Sequence, residues 1–267
     1  MEPLTNESRA GVLLTVAYDG GSFSGYARQP NARTVAGELD GAVRAIDPRA
    51  SLMRGVSRTD AGVHAKSQRC AFDTVKTLTP RSWALAITQH LPKEIAIVGA
   101  ASVAAAFDPR RHALRKTYRY TALHSEVRDP FLEGRAWRIP ERFNQSELAA
   151  CAQTLVGSHD FRAFRGAEDE RTDTVRQIFR IDVSTAHNDE RITYIDVEGD
   201  GFMYKMVRII AGSLIDIGRG RLAHDAFERA LQSGVRTDLG ITAPAQGLCL
   251  ESVVLDVEPA DFWPNSH

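Results

Sequence analysis

A short polar segment, Ser57-Arg58-Thr59-Asp60-Ala61-Gly62-Val63-His64-Ala65, holds the residues best suited to chemistry. Asp60 lies in a predicted turn, and Gly62 permits backbone angles that other residues resist. A carboxylate in such a turn most often accepts hydrogen bonds from backbone amides, and less often acts in catalysis. His64 has no HExxH motif or carboxylate at metal-ligand spacing, so it is predicted to stabilise the turn and no metal site is predicted. From the segment alone, both roles for Asp60 stay open.

A second segment, 107–120 (FDPRRHALRKTYRY), interleaves basic and aromatic residues. Alternate residues of a strand share a face, so Lys116, Tyr118 and Tyr120 are predicted to lie together. Basic and aromatic side chains on one surface suit a ribose-phosphate backbone with an unstacked base, and Arg110 is a candidate for the same contact. An exposed strand with a solvated charged face explains the pattern equally well.

Two further features leave alternatives open. The glycine-rich stretch 19–25 lacks both GxxxxGK[ST] and GxGxxG, so it predicts either a flexible connection or, with nearby Arg28, a contact to a polyanion. Arg208 stands among apolar residues of a predicted helix, where an unpaired buried charge is costly. It either extends to the surface or pairs with a buried acid, for which Asp60 is the best candidate.

The composition indicates an ordinary globular chain of 267 residues whose 33 basic and 34 acidic residues give a net charge of −1. This balance argues mildly against a nucleic-acid protein, unless positive charge is concentrated on one surface. Cys70, Cys151 and Cys249 form no CxxC pair, which indicates a reducing cytoplasm with no disulfide framework or zinc knuckle. Met1–Arg9 has no signal-peptide pattern, and no apolar run is long enough to span a membrane.

Strands and helices alternate in the predicted order, and a hairpin over 178–197 requires antiparallel strands. Helices are predicted from Thr34 until Pro48, from Pro80 to Leu91, and at 145–157, 204–217 and 223–232. Strands are predicted at 11–17, 51–57, 68–74, 94–104, 114–122, 174–186, 191–199 and 248–257. The pattern favours an α+β fold, with a mostly antiparallel sheet backed by helices.

Together these segments resemble the tRNA pseudouridine synthase A family. RTDAGVHA is the most specific of the segments, which follow the family's order through most of the chain. They are YDGGSFSGYARQ (18–29), TVAGEL (34–39), SRTDAGVHA (57–65), LPKEIAI (91–97), FDPRRHALRKTYRY (107–120), SHDFRAFR (158–165), GFMYKMVRIIAGSLIDIG (201–218) and APAQGLCL (243–250). The chain departs from the family at Ser57, where glycine is usual, and at Tyr26, where tryptophan is usual.

The resemblance implies the pseudouridine synthase fold, with two similar halves around a central cleft. We expect residues 1–107 to carry the catalytic aspartate motif and residues 108–267 to carry the tyrosine and arginine of the active site. The resemblance assigns the catalytic carboxylate to Asp60, the holding of a flipped nucleotide to Arg58, and the pairing with the acid to Arg208. It assigns base stacking to Tyr118 and an apolar substrate contact to Leu248.

The function implied is isomerisation of uridine to pseudouridine in the anticodon stem-loop of tRNA, at positions 38, 39 and 40. No cofactor and no metal is expected, and tRNA and a second copy of the chain are the expected partners in the cytoplasm. The alternatives are a related synthase that acts at other tRNA positions and a non-catalytic RNA-binding protein on the same scaffold. A nucleotide hydrolase that uses residues 19–25 would need a pair of metal-binding carboxylates, which the sequence does not show.

Overall fold

The computed structural model describes residues 9–257 and 259–264. By contacts, the chain forms two compact units, the first from Met1–Leu114 with Val253–His267 and the second from Arg115–Ser252. The segment predicted to lack a signal peptide lies outside the described residues, apart from Arg9. The division into domains after residue 107 stays a prediction.

The first unit contains a three-stranded antiparallel sheet with a short fourth strand at its margin. Its strands are β1 (Ala10–Tyr18), β2 (Arg54–Gly55), β3 (His64–Thr74) and β4 (Ile95–Val103). β1 is central, paired with β3 on one side and β4 on the other. β2 pairs with Cys70 and Ala71 of β3. Nearly all of β1 is buried, which explains its unbroken apolar sequence.

Two helices accompany this sheet, α1 (Val35–Ile46) and α2 (Pro80–Thr88). Thr34 caps α1 by accepting a hydrogen bond from the Gly37 N–H at 3.3 Å, and Pro80 occupies the first turn of α2, where its missing N–H costs nothing. α2 packs against β4, and its buried Trp83 meets Phe72 of β3 edge to face, with ring centroids 5.2 Å apart. The apolar spacing in the sequence thus marks the faces that form this core.

The second unit is also built on antiparallel strands. Its elements are β5 (Ala113–His124), β6 (Trp137–Ile139), α3 (Gln145–Gln153), β7 (Gly157–Asp160), β8 (Val175–Ala186), β9 (Asp189–Gly199), α4 (Met206–Gly218), α5 (Ala226–Ser233) and β10 (Leu248–Leu255). The order of strands is β5-β9-β8-β7, all antiparallel, and β6 lies parallel to β5. Residues 113–114 of β5 and 253–255 of β10 belong to the first unit.

The described residues therefore form five α-helices and mostly antiparallel strands, which confirms the predicted α+β class. Two short strands, β6 and β7, were not predicted from the sequence because three or four residues show no clear alternation. α4 begins later than predicted because Lys205, just before it, has a left-handed backbone with φ of 62°. Across the described part of the chain, no helix has the length and apolar character needed to span a membrane.

Candidate active site

The Asp60 segment connects β2 to β3 in the first unit and is held at its start by a buried glutamine. The Ser57 N–H donates to Oε1 of Gln68 at 3.0 Å, and Nε2 of Gln68 donates to the Ser57 carbonyl at 2.6 Å. Gln68 is fully buried. Farther on, the Val63 N–H donates to the Asp60 carbonyl at 3.1 Å, and Gly62 has a left-handed backbone conformation, with φ of 79°. The backbone on both sides of Asp60 is therefore fixed by short hydrogen bonds.

Thr59 anchors the middle of the segment to two aromatic residues. Its hydroxyl lies 2.7 Å from the hydroxyl of Tyr18, and its carbonyl accepts from the Tyr26 N–H at 3.0 Å. The Tyr26 ring occupies the space beside Gly55, where an added Cβ would approach its ring atoms to 2.3 Å. Tyr26, a departure from the family pattern, is thus part of the packing that supports the segment.

The glycine-rich stretch 19–25 supports the Asp60 segment and is not merely a flexible connection. At Gly20 an added Cβ would lie 2.0 Å from the Val63 carbonyl oxygen, and at Gly25 it would lie 2.8 Å from the Thr59 carbonyl oxygen. Gly25 also has a φ of 99°, a conformation that favours glycine. Both glycines are buried. The two segments of the chain approach so closely here that only glycine fits at either position.

The remaining side chains of this segment differ in exposure. Asp60 is half-buried and Arg58 is exposed. His64 has the predicted turn-stabilising role, because its Nδ1 accepts from the Gly20 N–H at 3.0 Å and lies 3.2 Å from Oδ1 of Asp19. Asp60 therefore has a half-buried side chain on a backbone that is hydrogen-bonded on both sides, and its catalytic role stays a prediction.

Arg28 and Arg110, the two arginines predicted to bind substrate in the first unit, both hold carboxylates. Arg28 pairs through Nε with the buried Asp40 and donates to the Met53 carbonyl at 3.1 Å. The hydrogen bond with Asp40 raises the pKa of Arg28. Arg110 makes two hydrogen bonds to Asp108, at 3.0 and 2.8 Å, and keeps half of its side chain exposed. Their contact with substrate stays a prediction.

In the second unit, β5 presents Lys116, Tyr118 and Tyr120 from one face, as the alternation predicted. Tyr118 is 8% exposed, and its ring meets Phe202 edge to face with centroids 5.3 Å apart and an angle of 90°. Tyr120 is fully buried and donates through its hydroxyl to the Pro244 carbonyl at 2.9 Å. Burial raises the pKa of Tyr120, against the opposing effect of nearby Arg208. Tyr120 is thus a structural neighbour of the arginine, while Tyr118 lies nearer the surface.

Arg208 and the segment that precedes β10 hold each other in place. Nε of Arg208 donates to the Ala243 carbonyl at 2.8 Å, and the Ala243 N–H donates to the Arg208 carbonyl at 3.0 Å. At Gly247 an added Cβ would lie 2.6 Å from the Tyr120 ring. Leu248, 6% exposed, follows as the first residue of β10. The structure therefore brings together Arg208, Tyr120 and the segment that leads to Leu248.

Three supporting residues were not predicted from the sequence. Gln68 and Tyr18 gave no signal because a polar residue or an aromatic residue within a strand has many ordinary roles. Phe202 belongs to the quoted segment 201–218 but carries no polar group that would suggest chemistry. Within residues 9–257 and 259–264, no group of three or more histidine, cysteine, aspartate or glutamate residues is arranged to hold a metal ion.

Comparison with known proteins gives this arrangement a family. A family model described as tRNA pseudouridine synthase matches residues 151–256, the part of the chain that holds Arg208 and Leu248. The matched class is that of the pseudouridine synthases, which are isomerases.

Three curated relatives match over nearly their full length. The chain is 38% identical over 242 residues to the tRNA pseudouridine synthase A of Geotalea uraniireducens, covering 91% of this chain and 98% of that protein. It is 39% identical over 242 residues to that of Moorella thermoacetica, covering 90% and 97%. It is 37% identical over 243 residues to that of Citrifermentans bemidjiense, covering 91% and 96%. The chain belongs to the tRNA pseudouridine synthase A family.

Proposed function

We propose that this protein isomerises uridine to pseudouridine in the anticodon stem-loop of tRNA, at positions 38, 39 and 40. Membership in the family supports the reaction, and the absence of long insertions from a chain that aligns with 98% of a bacterial relative supports these positions. The observation that carries the proposal is the Asp60 segment, in which a half-buried carboxylate stands on a backbone fixed by Gln68, Thr59 and Gly20.

The reaction breaks the bond between N1 of uracil and C1′ of ribose, rotates the base, and forms a bond between C5 and C1′. The proton on C5 leaves and one is gained at N1, so the change is an isomerisation that needs no oxidant or reductant. Asp60, in its ionised form, acts either as a nucleophile at C1′ or as a base at C2′. Both routes need a carboxylate whose position does not vary between turnovers.

The uridine has to leave the base stack before a side chain can reach its ribose. We assign Arg58, exposed beside Asp60, to holding the flipped nucleotide, and Tyr118 to stacking on its base. Leu248 supplies an apolar contact to the same nucleotide, and Arg208 supplies the positive charge that balances Asp60. The edge-to-face contact with Phe202 supports the stacking role, because it holds the Tyr118 ring in one orientation.

The stacking role predicts different outcomes for two substitutions. Tyr118→Phe keeps the ring, so single-turnover rates with saturating enzyme stay near the wild-type rate. Tyr118→Ala removes the ring and weakens base capture by about 1–3 kcal/mol, the usual contribution of one stacked base. Equal rates for the two variants would show that stacking is not the role of this residue.

The positions of modification are tested by deleting the gene and mapping pseudouridine in total tRNA. The expected result is loss of pseudouridine at positions 38, 39 and 40, restored by the wild-type protein but not by Asp60→Asn. Loss in another arm of the tRNA would contradict the anticodon assignment and favour a synthase that acts elsewhere. No loss at any position, with tRNA binding intact, would favour a non-catalytic RNA-binding protein.

We further propose that the protein acts in the cytoplasm as a homodimer, as the resemblance implies. The three cysteines support a reducing compartment, because none forms a disulfide in the described structure. Light scattering on the purified protein tests the dimer, for which the expected mass is twice 29.4 kDa. A mass that stays at the single-chain value at micromolar concentration would contradict it.

A further inference from the structure

Lys116 occupies a distinct place in the second unit. It lies on β5 two residues before Tyr118, so the two side chains leave the same face of the strand about 7 Å apart. Across the ladder it faces Gly199, and the glycine contributes no side chain to cover it. Lys116 is half-buried, near the turn that carries Phe202 to α4. Its ammonium is therefore partly removed from water on the face that carries the stacking ring.

Within the described residues, the Lys116 ammonium makes no hydrogen bond and no ion pair. Its charged neighbours are Asp200, Arg176 and Arg171. Asp200 uses a carboxylate oxygen to accept from the Gln177 N–H at 3.1 Å. Burial lowers the pKa of Lys116, Asp200 opposes this effect, and the two arginines lower the pKa further. The environment thus disfavours the charged ammonium unless an anion joins it.

The two neighbouring arginines differ from Lys116, because each of them is paired with a carboxylate. Arg171 donates through Nε to Asp169 at 2.8 Å, and Arg176 lies 3.4 Å from Asp173. Arg176 also donates to the Asp173 carbonyl at 3.2 Å. Lys116 is therefore the member of this basic group that is available to an incoming anion.

We propose that Lys116 binds the backbone phosphate next to the uridine whose base stacks on Tyr118. This inference rests on the proposed function, since it takes RNA as the substrate. A lysine ammonium is a compact charge with three hydrogen-bond donors, which suits the oxygens of a single phosphate group. The spacing of about 7 Å along β5 matches the reach from a stacked base to the phosphate of its own nucleotide. A bound phosphate stabilises the ammonium that the free protein leaves without a partner.

The test is a double-mutant cycle in which the RNA affinity is measured with and without the Lys116 side chain and with and without the charge of one phosphate. All proteins carry Asp60→Asn so that the RNA is not converted during titration. The RNA is an anticodon stem-loop with a target uridine, made with either a normal phosphate or a neutral methylphosphonate beside that uridine. The preceding nucleotide is 2′-deoxy in both RNAs, because a free 2′-hydroxyl would cleave the neutral linkage.

Lys116→Met is expected to weaken binding of the normal RNA about tenfold, the usual scale for a hydrogen bond to a charged group. It is also expected to reduce the slope of log Kd against log salt by about 0.7 to 1. The methylphosphonate lowers the RNA affinity of the protein that keeps Lys116 by a similar factor. It has little further effect on the RNA affinity of Lys116→Met. Lys116→Arg retains most of the affinity for the normal RNA.

Arg115→Gln is the matched control, because Arg115 is the preceding residue on the opposite face of β5, where it pairs with Glu198 at 3.0 Å. It is expected to keep its full sensitivity to the methylphosphonate. If the methylphosphonate lowered the RNA affinity equally in Lys116→Met and in the protein that keeps Lys116, the assignment would be overturned. The proposed function fails separately, if the protein with Asp60 intact forms no pseudouridine in the normal stem-loop.

Discussion

Replacing Gly20 with alanine tests whether the glycine-rich stretch fixes the Asp60 segment. Gly20 has an ordinary backbone conformation, so the substitution strains no dihedral angle and acts only through the added methyl group. That methyl group would lie 2.0 Å from the carbonyl oxygen of Val63 and 2.5 Å from its carbonyl carbon. Both are backbone atoms, which cannot turn aside as a flexible side chain can.

The size of the effect follows from these distances. A Cβ essentially never lies within 3.0 Å of another heavy atom, so the contact of 2.0 Å has to lengthen by about 1 Å. Val63 is hydrogen-bonded to Asp60, so the displacement reaches the carboxylate. A misplacement of about 1 Å costs about 100-fold in rate, or about 2.7 kcal/mol in the barrier. The overpacking itself lowers the free energy of unfolding by about 1–3 kcal/mol.

The assay is single-turnover formation of pseudouridine with enzyme in excess, below the melting temperature of every variant. Gly21→Ala is the matched control in the same stretch, since its methyl group would meet only Oδ1 of Asp19, at 3.2 Å. We expect a rate about 100-fold lower for Gly20→Ala and a rate near wild type for Gly21→Ala. A folded Gly20→Ala protein with the wild-type rate would refute the role of this contact in placing Asp60.

Two further predictions concern stability. Gly41 lies at an exposed position within α1, where an added Cβ would meet nothing within 4 Å. Gly41→Ala is therefore expected to raise the free energy of unfolding by about 0.5–1 kcal/mol in urea titrations. A loss of stability would contradict the helical environment. Hydrogen bonds from Arg171, and then from the Tyr204 N–H, lower the pKa of Asp169, so its stabilising effect is present above about pH 4 and is lost as the pH falls. Asp169→Asn therefore lowers the melting temperature at pH 7, and the difference from wild type narrows below about pH 4; a constant difference would show that the charge of Asp169 is not involved.

The sequence predicts the long elements well because their apolar residues repeat with a clear period. α1 extends from Val35 to Ile46, close to the limits that Thr34 and Pro48 predict. β2 is shorter than predicted, with two residues in place of seven, although Ser51 and Val56 still donate single hydrogen bonds to the Asp73 and Arg69 carbonyls of β3. Periodicity reports which residues are buried, but it does not report where a strand stops pairing.

The supports of the candidate site were harder to predict. The glycines at 20 and 25 are recognisable in the sequence, but the residues they approach, Val63 and Thr59, are 43 and 34 positions further along the chain, and no local pattern identifies them. Pairing of Arg208 with an acid stays a prediction, and its hydrogen bond to the Ala243 carbonyl within its own unit was not predicted. Contacts between distant segments depend on the tertiary fold, which periodicity and motif spacing do not contain.

Asp60→Asn tests the chemistry most directly, because it removes the charge and leaves the shape of the side chain almost unchanged. The measurement is the amount of pseudouridine formed in a single turnover on tRNA, beside the melting temperature and the tRNA affinity of the same variant. We predict an unchanged fold, unchanged binding and no product. Measurable pseudouridine from this variant would contradict the assignment of the reaction to the Asp60 carboxylate.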